Sequence, residues 1–229
     1  MNIQGYQKMS LLDYPGKVAC IVFTGGCNLR CPFCHNAGLV KTPISLPNMK
    51  DEVLSYLSSR KGLLDGVCVT GGEPLIQPDI EDFIRSVKAM GYSVKLDTNG
   101  GFPEKLRRVL ASGAVDYVAM DIKSAPDTYS LATGCDTDFS AFGESIKVIK
   151  ESGIPHEFRT TAVKGIHTTE DFEKISSLIG DEAYYIQCFV DSGNILGDGC
   201  SAFSLDEMKE LEAAAKLHTP RTSLRGIDQ

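Results

Sequence analysis

Short β-branched runs along the chain alternate with longer stretches in which apolar residues recur at helical spacing among charged ones. The alternation repeats six times. The β-branched runs, 18–24, 66–70, 93–97, 115–121, 156–163 and 184–189, predict strands. The amphipathic stretches, 49–60, 79–90, 103–112, 138–152, 169–179 and 204–217, predict helices. Strands alternating with helices at this spacing imply right-handed βαβ units and a parallel sheet. The punctuation agrees: Pro78 with Asp79 and then Pro103 stand at helix starts, and glycines at 62, 91, 113, 153 and 180 stand just past helix ends.

Six repeats fall short of the eight that close a full barrel. The expected fold is therefore α/β, an incomplete and laterally open (β/α)6 barrel of the TIM type. A length of 229 residues without linker, low-complexity tract or repeat is read as one domain, 1–229. The 23 basic residues against 30 acidic ones, a net charge of −7, argue against a nucleic-acid-binding face and disfavour a transfer-RNA substrate. The first residues, from Met1 to Tyr6, lack a basic stretch followed by an apolar one, and no window approaches 18 uninterrupted apolar residues. The expectation is a cytoplasmic protein with no membrane partner. Eight cysteines in such a compartment point to thiols and metal ligands rather than disulfides.

Three of those cysteines change the picture. Cys27, Cys31 and Cys34 form a C-x3-C-x2-C run directly behind the first predicted strand. Thiolates on one such loop can hold three corners of a cubane iron–sulfur cluster and leave the fourth iron open to a small molecule. Structural zinc wants four ligands, and only His35 is near as a fourth. The run favours the cluster over zinc, and both over unrelated structural thiols. In barrels of this kind the C-terminal ends of the strands line the active site. Those ends carry the cysteine loop, then Gly71-Gly72-Glu73, Asp97-Thr98-Asn99, Asp121-Ile122-Lys123, and Arg159 with Thr160 and Thr161.

C-x3-C-x-aromatic-C, with Phe33 as the aromatic, resembles the signature of the radical SAM superfamily. The resemblance implies a [4Fe–4S] cluster on Cys27, Cys31 and Cys34. It also implies S-adenosylmethionine (SAM) chelating the open iron, and a 5′-deoxyadenosyl radical that abstracts a hydrogen atom. Gly71-Gly72-Glu73 resembles the superfamily's GGE motif, in which backbone and carboxylate meet the methionyl ammonium. Two glycines let the main chain approach closely, and a carboxylate pairs with a cation; the plainer reading is a Gly-Gly turn with Glu73 capping the next segment. Asp97, Thr98 and Asn99 resemble the ribose-contacting stretch of the glycyl-radical activases. By the same resemblance Asp97 and Asp121 lie near the methionyl carboxylate with a monovalent cation, Lys123 neutralises that carboxylate, and His35 and Asn36 contact adenine through their backbone. Asp-Thr-Asn-Gly is also a common turn sequence, and Asp-x-Lys is also what a solvated pair looks like. A buried Arg159 needs an anion, which either SAM or an internal carboxylate supplies. Cys20 and Cys68 read as small buried hydrophobes. Cys135, Cys188 and Cys200 lack pair spacing, and His156, His167 and His218 read as structural or exposed.

Within the superfamily, the lead from Ser10 to Lys17, the Cys34-His35-Asn36 sequence and the chain length resemble the activating proteins of anaerobic ribonucleoside-triphosphate reductase. Pyruvate formate-lyase activase shares the Asp-x-Pro-Gly lead and the Cys-His-Asn sequence. Residues 35–67 contain no cysteine, so the ferredoxin-like insert of other activases is missing. The implied partners are a glycyl radical enzyme and a flavodoxin or ferredoxin as electron donor. No acid–base catalyst is required, because hydrogen-atom transfer depends on proximity. Two other classes stay open. The 7-carboxy-7-deazaguanine synthases share the fold and size, act on a free pterin with magnesium and often alter the first cysteine spacing. The other is a non-catalytic iron–sulfur scaffold or electron carrier.

Overall fold

The computed structural model describes residues 1–40, 48–191 and 193–227. One sheet of eight strands runs in chain order: β1 (Ile3–Ser10), β2 (Ala19–Thr24), β3 (Gly66–Gly71), β4 (Ser93–Thr98), β5 (Tyr117–Asp121), β6 (His156–Ala162), β7 (Tyr184–Cys188) and β8 (Thr222–Arg225). β2 to β8 are parallel and β1 is antiparallel to β2. The helices are α1 (Ala37–Val40), α2 (Lys50–Ser59), α3 (Ile80–Ala89), α4 (Pro103–Ala111), α5 (Tyr129–Thr133), α6 (Ser140–Glu151), α7 (Thr169–Ile179) and α8 (Leu205–Lys216). The six expected βα units are β2 to β7 with their helices, and the open parallel sheet of a partial barrel is present. No described helix is long and apolar enough to cross a membrane.

The sheet differs from expectation at its two edges. β1 carries polar residues at Gln4, Gln7 and Lys8 and pairs with β2 through register shifts, so it has no β-branched run. β8 is four residues long. Bulged, polar and short strands are the usual form of a sheet edge.

Successive side chains of a strand point to opposite faces, and the register sorts them here. Val22, Val67, Val69, Val94, Leu96, Val118, Met120, Phe158 and Ile186 lie on one face, buried among side chains such as Ile84 of α3, Leu106 of α4, Ile149 of α6 and Phe172 of α7. Fully burying such a side chain stabilises by about 1.5–3 kcal/mol. Pairings such as Phe23 with Thr70, Asp97 with Ala119, Asp121 with Arg159 and Arg159 with Tyr185 align the opposite face. That inner face is polar. The start of α8 is closed locally: the Ser204 hydroxyl accepts from Glu207 N at 3.3 Å, and Ser204 N donates to the Glu207 carboxylate at 2.8 Å, a capping box.

Candidate functional site

A cavity of about 360 Å3 opens over the inner face at the C-terminal strand ends. Cys27, Cys31 and Cys34 line it together with Phe33, His35, Gly71, Gly72, Asp97, Thr98, Asn99, Asp121, Lys123 and Arg159. A larger groove of about 780 Å3 beside α6 contains none of the residues singled out in the sequence.

The cysteine loop leaves β2 and is held by backbone bonds from three sides. Gly26 N donates to Leu39 O at 2.7 Å, Arg30 N to Thr133 O at 2.8 Å and Gly197 N to Pro32 O at 2.9 Å. Burial pushes the Cys27 thiol up to about 11 and the Cys31 thiol up to about 12. Among the described residues no three His, Cys, Asp or Glu side chains converge on a single ion. Three thiols spread around one cavity match a cluster, in which each iron takes one protein thiolate.

The two glycines have a measurable reason. A Cβ on Gly72 would lie 1.9 Å from Gly26 O, and one on Gly71, whose φ is 115°, would lie 2.3 Å from Thr24 N. The end of β3 therefore packs directly on the backbone from which the cysteine loop springs, and Glu73 N donates to Gly26 O at 2.9 Å. Glu73 makes the contact of the plainer reading, a carboxylate that caps the next segment. Its side chain has no exposed surface and lies outside the cavity wall. The carboxylate accepts from Leu75 N at 2.9 Å, from the Thr98 hydroxyl at 2.8 Å and from Asn99 N at 2.7 Å. It caps the turn Pro74–Ile76 and fixes the end of β4. Burial outweighs these donors and raises its pKa to about 7.

Below the cysteines the inner face carries a chain of ion pairs. Lys95 Nζ lies 2.6 Å from Asp97, Arg159 bonds Asp97 at 3.2 Å and Asp121 at 2.8 Å, and Lys123 bonds Asp121 at 3.2 Å. Burial opposes ionisation of Asp121, but the charges of Arg159 and Lys123 overcome it and hold the carboxyl well below the usual range. Burial likewise opposes the Lys123 charge, and Asp121 more than compensates. Arg159 thus has internal anions as partners. Both carboxylates assigned to a monovalent cation already carry side-chain cations, so this donor set gives that ion no support.

Asn99 joins the two ends of the site, donating to the Asn28 side chain at 2.8 Å and reaching Cys27 Sγ at 3.7 Å. Phe33 is buried edge-on to His167, and His35 stacks on Phe189 with centroids 5.5 Å apart. Asn36 donates to Gly71 O at 3.2 Å. His167 is structural: it accepts from Val163 N at 3.0 Å and donates to Lys123 O at 2.8 Å, and burial lowers its pKa. Cys20 and Cys68 are buried, and Cys135 Sγ lies 3.8 Å from Asn28 O. Three polar residues of the site were not assigned to it from the sequence. Asp13 and Gln187 line the cavity, and Lys95 neutralises Asp97 from below. Lys95 was visible in the alternation Val94-Lys95-Leu96-Asp97, Asp13 entered only as part of the lead from Ser10 to Lys17, and a lone polar residue such as Gln187 gives no local signal.

The family model of the radical SAM superfamily matches residues 21–179, which include the cysteine loop and every strand end of the site except that of β7. The chain belongs to the radical SAM superfamily. The [4Fe–4S] cluster and SAM that this family implies fit the residues present: three thiols on one loop and a polar inner face beside them. Among relatives of this radical SAM chain, a Methanocaldococcus jannaschii protein assigned provisionally as a glycyl-radical enzyme activating enzyme is 32% identical over 200 residues, covering 82% of this chain and 79% of its own. The pyruvate formate-lyase-activating enzyme of Clostridium pasteurianum is 29% identical over 185 residues, covering 78% and 76%. The match to that of Listeria monocytogenes spans 53% of each chain at 36% identity. In fold, a radical SAM methyltransferase from Sphaerobacter thermophilus superposes with a TM-score of 0.73 at 13% identity, covering 94% of this chain and 69% of that one.

Proposed function

We propose that this radical SAM protein is an activase that installs a glycyl radical on a partner enzyme. The observation that carries the reading is the shared cavity: three cluster cysteines face the ion-paired ends of β4, β5 and β6, so a cofactor on the open iron would lie against Asp97, Thr98, Asp121, Lys123 and Arg159. Cys27, Cys31 and Cys34 would hold the cluster, which would supply the one-electron reduction of SAM, with a flavodoxin or ferredoxin as the donor, that hydrogen abstraction from the glycine requires. The chain's own residues do the positioning. Lys123 and Arg159 offer cations to the methionyl carboxylate, Thr98 and Asn99 offer polar contacts to the ribose, and the backbone of Gly71 and Gly72 forms the wall where the ammonium would lie. The buried Glu73 acts on the site through the Asn99 and Thr98 bonds rather than by touching the cofactor.

The partner we infer is an anaerobic ribonucleotide reductase, on the lead from Asp13 to Gly16, the Cys34-His35-Asn36 sequence and the cysteine-free stretch 35–67. The relatives from Clostridium and Listeria favour pyruvate formate-lyase as the second reading. Electron paramagnetic resonance decides between them: cluster-loaded protein, SAM and reductant are mixed with each enzyme in turn. A glycine-centred doublet that depends on this protein is expected with the reductase. A doublet with pyruvate formate-lyase alone moves the assignment to that partner. Neither doublet, with SAM consumed against a free pterin, refutes the activase reading.

A further inference from the structure

Beneath the SAM-facing layer the inner face carries a second charged layer that the proposed reaction does not use. Glu157, on β6, is two residues before Arg159 and therefore on the same face of the strand, and it is 1% exposed. Its two oxygens accept a forked pair of bonds from Arg225 of β8, each 2.9 Å, and Oε2 also accepts from the Tyr117 hydroxyl at 3.1 Å. The Arg225 guanidinium lies over Tyr185, its Cζ 3.3 Å from the ring centroid, a second contact that holds it in place. Arg159 Nη1 stands 3.9 Å from Glu157, just beyond a hydrogen bond, while its other nitrogens bond Asp121 and Asp97.

Arg159 thus faces three carboxylates and is bonded to two. The third is occupied by Arg225. A buried carboxylate deprived of its partner carries a large desolvation cost and recruits the nearest cation, which here is Arg159. Drawn toward Glu157, its guanidinium would leave the 3.2 Å bond to Asp97. We infer that Arg225 is a positioning residue for SAM: by saturating Glu157 it keeps Arg159 committed to Asp97 and Asp121 in the cofactor layer. The inference rests on the proposal that this layer binds SAM. It also gives β8, the edge strand absent from the sequence pattern, a task in the site.

The test uses anaerobically cluster-loaded full-length protein, with iron and sulfide counted for each variant and SAM affinity read by calorimetry. A second readout is the Arg159 Nε–Hε resonance of cluster-free protein. Arg225→Met is expected to raise the SAM dissociation constant about tenfold, a difference of about 1.4 kcal/mol, with a full cluster and a displaced Arg159 resonance. The double variant Glu157→Gln/Arg225→Met, which removes the competing charge, is expected to restore both. Wild-type affinity in Arg225→Met overturns the inference. So does a double variant as weak as the single one, because that result assigns Arg225 a packing role only. Glu157→Gln alone keeps Arg225 and removes the charge, so it is expected to bind SAM as the unaltered protein does. Should Arg225→Met not fold, a tenfold loss in Glu157→Gln overturns the inference by itself. Failure of the unaltered, cluster-loaded protein to bind SAM would instead refute the underlying SAM site.

Discussion

The two faces of one sheet do opposite things. Val94, Leu96, Val118, Met120, Phe158 and Ile186 point outward with no exposed surface and pack under the helices. Lys95, Asp97, Asp121, Glu157 and Arg159, their neighbours on the same strands, point inward into ion pairs, Glu157 with Arg225 and the rest with one another. The outer face stabilises by removing apolar surface from water, at about 25 cal/mol per Å2. The inner face pays a desolvation cost that ion pairing offsets only in part. A face retained in spite of that cost is where chemistry is expected. The pleat lets both coexist, since adjacent residues belong to different layers.

The sharpest way to break this contrast is to cut each face once. Cys31→Ala, at the rim of the inner face, is expected to abolish reductive SAM cleavage while urea unfolding of the cluster-free chain changes little; normal cleavage with a full cluster would remove the ligand assignment. Phe158→Ala on the outer face is expected to cost about 3–5 kcal/mol of stability in the same urea titration. SAM affinity of the molecules that remain folded should not change. Arg159→Met reverses the pattern. Asp97 keeps Lys95 and Asp121 keeps Lys123, so stability should fall less than in Phe158→Ala while SAM affinity falls about tenfold or more, a loss of at least about 1.4 kcal/mol. Equal effects of the two substitutions on both readouts would erase the distinction.

Glu73 adds a buried carboxylate whose partners here are Leu75, Thr98 and Asn99. Glu73→Gln replaces an acceptor with a donor opposite Leu75 N, the Thr98 hydroxyl or Asn99 N, and should cost roughly 1.5–3 kcal/mol of stability. Its pH dependence has a definite sign. The folded pKa, about 7, lies above the ordinary value of 4.5, so the folded chain holds the extra proton between these limits. The stabilisation from this group is complete below pH 4.5 and is lost as the pH rises through about 7. Unfolding free energies of cluster-free wild type and Glu73→Gln, compared at pH 5 and pH 8, should show the wild type losing more. Parallel profiles would mean that Glu73 is ionised throughout. The smallest effect is expected at the surface: Lys174→Ala, at the exposed pair with Asp127 and Glu170, should change neither stability nor SAM affinity measurably.

The six βα units were legible because short apolar strands, several rich in β-branched residues, alternate with longer stretches whose apolar residues recur at helical spacing. The cysteine loop was legible because ligand spacing is a covalent property of the chain. The edges were not: β1 mixes Gln4, Gln7 and Lys8 into a bulged strand, and β8 is too short to show a period. The strand-end positions of Asp97, Asp121, Lys123 and Arg159 could be placed at the rim, but whether Arg159 met a ligand or an internal carboxylate required the distances to Asp97 and Asp121. For Glu73 the sequence left two roles open. A Gly-Gly-Glu turn reads the same whether its carboxylate faces a cavity or turns under the wall, and the capping contact is seen only in its bonds to Leu75 N, the Thr98 hydroxyl and Asn99 N.

In the proposed reaction the cavity between the cysteine loop and the inner face holds SAM for hydrogen abstraction from a glycine of another protein. The most direct measurement uses anaerobic ribonucleotide reductase synthesised with glycine deuterated at the α-carbon. Cluster-loaded protein, SAM and reductant are added, and the deoxyadenosine formed is weighed by mass spectrometry. One deuterium is expected in the product, present only when both proteins are together. Deoxyadenosine formed in the presence of the reductase but free of deuterium would contradict it.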